Sequence, residues 1–153
     1  LVQNICAKVM TNDTLKNHLY EERWRVPWAP LVFFLPIFYK YNVIVTDENL
    51  SFGYGFDDPV RLTSKTISKS NIEQDSITVG NASWKDNLLK FGGWGIRLGL
   101  DGTIAYNAKN GNYIEIVEKR NNGTTQKYRF ASNDAEKVVS LLRVEKSSDE
   151  VGG

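Results

Sequence analysis

The chain has 153 residues, 41% of them hydrophobic, with 19 Lys and Arg against 18 Asp and Glu for a formal net charge of +1. That length supports one continuous core without a disulfide or metal staple, and the near balance of charge excludes a dedicated nucleic-acid binder, which needs a basic face. One Cys and one His are too few for a structural Cys/His zinc site, and Cys6 has no partner for a disulfide within the chain.

Residues 1–18 read as an N-terminal appendage, in which Ile5, Val9 and Leu15 sketch an amphipathic helix too short to stand alone. Residues 19–144 read as one domain and 145–153 as a frayed tail. From Leu19, alternation places Tyr20, Glu22, Trp24 and Val26 on one side and Glu21, Arg23 and Arg25 on the other, an edge strand that Pro27 ends. The run from Val26 to Phe38 is the most apolar of the chain. As a helix it would reach about 20 Å against a hydrocarbon layer of roughly 30 Å. Pro27, Pro30 and Pro36 also interrupt it. It is read as core cover, with shallow membrane insertion or a subunit contact as alternatives, and both a cytoplasmic and a membrane-associated location fit.

Tyr39, Tyr41, Val43 and Val45 share one parity, and Leu50, Phe52, Tyr54 and Phe56 share one again after a turn at Asp47 to Asn49. This is a hairpin with bulky faces, and Gly53 and Gly55 on the other face of its second strand permit close approach by another segment. Arg61 to Lys69 is a polar strand or loop, and Ile77 to Val79 a short strand. Gly80 to Lys90 reads as a long connection containing at most one helical turn, with Trp84 anchoring it to the core. In FGGWGIRLGLDGTIAY, residues 91–106, Trp94, Ile96, Leu98 and Leu100 share a parity, Asp101 and Gly102 turn the chain, and Ile104 and Tyr106 resume an apolar face. That is a second hairpin, with Trp94 placed in the principal core.

Asn110-Gly111 and Asn121-Asn122-Gly123 are turn signals, and between and after them Ile114, Ile116, Tyr128 and Phe130 face inward. The expectation is a meander of successive antiparallel strands. Ser132 and Asn133 are the candidate helix N-caps, Asn133 with Glu136 three residues into the helix, and Ala135, Val138, Val139 and Leu142 recur at helical spacing over roughly 133–144.

Little in the sequence points to catalysis. His18 and Cys6 sit in no nucleophile signature, and the adjacent carboxylates Glu21-Glu22, Asp57-Asp58 and Asp149-Glu150 alternate faces or lie in turns. The glycine-containing segments carry neither a Walker lysine nor a dinucleotide fingerprint, so neither a cofactor nor a metal is expected. A noncatalytic module is the preferred reading, with a small-molecule hydrolase as the distant enzymatic alternative. Arg61, Lys65 and Lys69 are the candidate anion site, Lys as point charge and Arg as a directional fork. Trp84 and Trp94 are the candidate core or groove aromatics.

The strand pattern, the segment FGGWGIRLGLDGTIAYNAKNGNYIEIVEKRNNG and the terminal SNDAEKVVSLL helix resemble bacterial pleckstrin-homology-like domains, in particular small proteins with a GWGIR-containing late hairpin. The resemblance covers roughly Tyr39 to Leu142. It implies a mainly β fold, a bent antiparallel barrel of about seven strands capped by a C-terminal helix, used as a binding or assembly scaffold. The resemblance supplies no ligand; the expected partner is a protein or peptide, with an anionic membrane surface as the alternative.

Overall fold

The structure, a computed structural model, describes residues 18–26, 40–55 and 63–143. The N-terminal appendage before His18, the apolar run from Pro27 onward, Arg61 and the tail lie outside these residues. Among the described residues the chain is mainly β, with two sheets and a C-terminal helix.

The first sheet is an antiparallel meander of β1 (His18–Arg25), β2 (Lys40–Thr46), β3 (Asn49–Gly55) and β4 (Lys65–Ser68). β1 lies at its edge, and Glu22 and Val26 are buried on the expected side with Tyr20 and Trp24 packed against the core. The turn between β2 and β3 is tied by the Asn49 N–H donating to Thr46 Oγ1 at 3.0 Å. Gly53 has φ +146°, and a Cβ there would lie 2.5 Å from Ser64 Cα. Glycine lets the chain entering β4 pass against β3, the close approach its position in the sequence suggests.

The second sheet contains β5 (Thr78–Ala82), β6 (Gly95–Leu98), β7 (Ile104–Asn107), β8 (Gly111–Lys119) and β9 (Thr125–Ala131), in the order β5-β8-β9-β7-β6. β6 and β7 form the late hairpin, with Gly95 opposite Asn107 and Leu98 opposite Ile104. Asp101 shapes its turn by accepting from the Thr103 backbone N–H at 3.0 Å and hydroxyl at 2.8 Å. Beyond Asn110-Gly111 the expected meander fails. β8 skips a place and β9 returns into the gap, antiparallel to β8 but parallel to β7. Period-two alternation assigns each side chain a face, yet it is silent on which neighbour a strand takes.

Among the described residues the two sheets pack face to face and do not close into a barrel, so in place of the expected bent barrel of about seven strands there are nine strands in two sheets. Phe52 of the first sheet stacks on Phe130 at 4.4 Å between centroids and meets Tyr106 and Tyr128 edge-on at 5.0 and 5.9 Å. A bridge between Ile72 and Glu118, and the Glu73 N–H donating to the Val117 carbonyl at 2.9 Å, stitch the connection after β4 to β8.

The C-terminal helix spans Ala135–Leu142 and buries Ala135, Val138, Val139 and Leu142, the stripe read from the sequence. Its cap is Asp134, whose side chain accepts from the Lys137 N–H at 3.2 Å, rather than Ser132 or Asn133. The Asn133 N–H is instead taken by the buried Glu22 carboxylate at 2.9 Å, which ties β1 to the entrance of this helix. The parity expected to bury Trp94, Ile96, Leu98 and Leu100 is only half realised. Trp94 and Ile96 pack partly buried on the core margin, whereas Leu98 at the end of β6 and Leu100 in the turn after it are exposed.

A groove built on a buried arginine

The region read as a connection holds a second helix, α1 (Trp84–Phe91), and the helix after β9 becomes α2 (Ala135–Leu142). α1 starts at a capping box, in which Ser83 Oγ accepts from the Asp86 N–H at 3.3 Å and Asp86 accepts from the Ser83 N–H at 2.9 Å. It ends at Gly92, whose left-handed φ of +72° lets the chain reverse. Asn87 is its one buried residue. Trp84, placed from sequence as an anchor, is 54% exposed, and Leu89 is 82% exposed. No buried apolar stripe marks this helix, which is why hydrophobic periodicity missed it.

α1 runs beside the outer face of the second sheet. The inner face carries Ile114, Ile116, Tyr128 and Phe130, all buried; the alternate residues Tyr113, Glu115, Lys127 and Arg129 therefore point outward. Arg129 is nonetheless 3% exposed. Its Cζ lies 3.5 Å from the centroid of the Tyr113 ring and 4.9 Å from that of Phe91, the last residue of α1. Tyr113 in turn lies across Gly80 of β5, where a Cβ would approach Tyr113 Cζ to 2.2 Å. The missing side chain at Gly80 makes room for the ring, and the ring positions the guanidinium.

Glu115 stands opposite Arg129 in the strand register, but its carboxylate goes to Lys127 Nζ at 3.0 Å. On the other flank the register partner is Ala105, which has nothing to offer a cation. Among the described residues no ion pair or side-chain hydrogen bond engages the Arg129 guanidinium. Burial pulls its pKa below the usual arginine range, while Tyr113, Glu115 and Asp86 act in the opposite sense. Arginine remains a cation at neutral pH even so.

Arg129 lines a groove of about 450 Å³, within the size range of roughly 300–1,000 Å³ common to ligand pockets. Leu89 and Phe91 of α1 form one wall, and Leu100 and Asp101 of the β6-β7 turn another. Lys90, Lys127 and Arg129 bring three positive charges to the lining, and Asp101 and Glu115 two negative ones, leaving a single net positive charge.

The residues singled out from sequence fall elsewhere. Lys65 pairs with Glu118 at 2.9 Å and sits 5.2 Å from the Tyr128 ring centroid. Lys69 follows β4 in a 3-10 turn, where desolvation lowers its pKa and Asp47 acts against the shift. Arg61 lies outside the described residues. Trp94 is held at the core margin, and Trp84 sits at the solvent-exposed start of α1. His18 pairs with Glu21 at 2.9 Å at the exposed start of β1, and this contact is the main cause holding the Glu21 carboxyl below its usual range. Arg129 itself was missed. In TQKYRF it falls on the polar parity, and the only hint of cover is the apolar content of the WKDNLLKF segment.

Searches against protein-family models, curated proteins and solved structures each return no match for this chain. What the fold and groove define is a mainly β domain of two packed sheets with a C-terminal helix and an open, cation-floored groove on its outer face.

Proposed function

We propose that this chain is a noncatalytic interaction module, pleckstrin-homology-like in its meander and C-terminal helix but open between its sheets, that holds a peptide or protein segment in the groove beside α1. The observation that carries this reading is the exposed apolar rim. Leu89 and Leu100, 82% and 105% exposed, flank one groove from two different elements, and Trp84, Leu88 and Leu98 extend the same apolar character along α1 and the hairpin. Single exposed leucines are ordinary on protein surfaces, but a rim of them around a concave site supports docking of an apolar partner. The floor favours recognition over acid-base chemistry, since a guanidinium does not exchange protons near neutral pH.

Selection of a random peptide library against the folded chain tests the reading. Enriched peptides should bind the parent and bind a Leu89→Glu/Leu100→Glu variant at least about tenfold more weakly, with circular dichroism unchanged. Failure to enrich any peptide, or equal binding to both proteins, would overturn it.

A further inference from the structure

We infer that the groove recognises a free carboxylate joined to an apolar body, namely the C-terminal residue of a peptide chain ending in an aliphatic or aromatic side chain. This rests on the peptide-binding reading and deepens it by naming what the floor of the groove takes.

The starting point is Arg129, 3% exposed and yet without a carboxylate partner among the described residues. Cations are retained in such places when paired, and a buried charge left alone is costly. Here the anion that the register offers, Glu115, is diverted to Lys127 at 3.0 Å. The Tyr113 and Phe91 rings at 3.5 and 4.9 Å fix the guanidinium without occupying its donors in any hydrogen bond. A guanidinium so oriented is a preorganised fork, and its geometry matches the two oxygens of one carboxylate.

Charge selects among anions. The lining carries one net positive charge, and the Glu115 and Asp101 carboxylates both belong to it. A monoanion neutralises that surplus, whereas a phosphate dianion would bring an excess negative charge toward two fixed carboxylates. The walls then select what is attached to the anion. Leu89, Phe91 and Leu100 enclose an apolar group beside the floor. Asp101, Glu115 and Lys127 make the remaining rim polar, which suits the amides of a peptide and leaves a plain alkyl chain unmatched.

The experiment uses the whole chain and four probes measured by calorimetry: acetyl-Ala-Ala-Leu as the free acid, the same peptide as its C-terminal amide, octanoate, and inorganic phosphate. The free acid should bind saturably, and the amide at least about tenfold more weakly, since a charge-assisted, two-pronged contact is lost. This comparison needs no substitution and so does not depend on how any variant folds. Arg129→Gln should abolish the discrimination between acid and amide, and Arg129→Lys, a point charge without a fork, should restore it only in part. Equal affinity for acid and amide overturns the carboxylate assignment. Tighter binding of octanoate or phosphate than of the free acid overturns the peptide C-terminus as its source. If library-selected peptides still depend on Leu89 and Leu100 while acid and amide bind alike, the carboxylate inference fails and the peptide-binding reading stands; if no peptide binds, both fail.

Discussion

Replacing Arg129 by methionine should make the protein more stable while removing the charge from the groove. Transferring a guanidinium out of water costs several kcal/mol even after the protein relaxes. At 3.5 Å from the Tyr113 centroid the cation regains about 2 kcal/mol from a desolvated ring, and Phe91 at 4.9 Å adds a smaller amount. Glu115 and Asp86 favour the cation from a distance, but among the described residues no carboxylate forms an ion pair with it to make up the rest. Methionine has a similar unbranched reach, carries no charge and keeps a sulfur-aromatic contact of about 0.3–1.5 kcal/mol. The expected net effect of Arg129→Met is a gain of about 1–3 kcal/mol, read from urea unfolding at constant m-value. Tyr113→Leu supplies the control: it should destabilise the parent by about 1–2 kcal/mol and the Arg129→Met variant by less, because the cation it served is gone. A loss of more than about 1 kcal/mol in Arg129→Met would show that the guanidinium is structurally satisfied, and would remove the reason for assigning it to a ligand.

Phe52→Ala should cost about 3–5 kcal/mol in denaturant unfolding, since its ring, 1% exposed, joins both sheets through Phe130, Tyr106 and Tyr128. Gly80→Ala should displace the Tyr113 ring, which lies 2.2 Å from the added Cβ, and weaken binding of the free-acid peptide without unfolding the chain, as calorimetry and circular dichroism together would show. Lys65→Met should destabilise by about 1–3 kcal/mol in urea because it strips Glu118, whose side chain is 10% exposed, of its 2.9 Å partner. Alkaline pH should also unfold the protein. Burial is the largest cause raising the Tyr20 and Tyr106 phenols from 10.0 to about 12, and it raises those of Tyr41 and Tyr54 further. Above pH 10 the unfolded chain thus releases phenolic protons that the folded chain retains, so stability is full below pH 10 and falls between 10 and 12. The share of ultraviolet phenolate absorbance due to these four of the seven tyrosines should rise only together with loss of circular dichroism, and ionisation of these four in a chain that keeps its fold would count against the burial of their hydroxyls.

The parts of the fold that were legible are those where one periodicity acts alone. Tyr41, Val43 and Val45 against Leu50, Phe52 and Tyr54 announce the β2-β3 hairpin, and Ala135, Val138, Val139 and Leu142 announce α2; all are buried. The parallel entry of β9 beside β7 was not legible, because Tyr128 and Phe130 face inward whichever strand lies next to them. α1 escaped notice since its apolar residues Trp84, Leu88 and Leu89 face solvent and its signature is a cap, Ser83 with Asp86, rather than a stripe. Leu98 and Leu100 carried a core-like parity at a hairpin tip where both are exposed. The groove combines three features that periodicity does not announce: a helix without a buried apolar stripe, an exposed turn, and an arginine on the polar parity. The basic residues that did stand out, Lys65 and Lys69, lie outside its lining.

The most direct measurement is an NMR titration of isotope-labelled protein with acetyl-Ala-Ala-Leu as the free acid. Saturable shifts should concentrate on the Arg129 side-chain N–H and on the backbone amides of Phe91, Leu100 and Tyr113, and they should be largely lost with the C-terminal amide. Shifts confined to β4 around Lys65 and Lys69, or an Arg129 side chain that responds equally to acid and amide, would contradict the assignment of this groove as a carboxylate-reading peptide site.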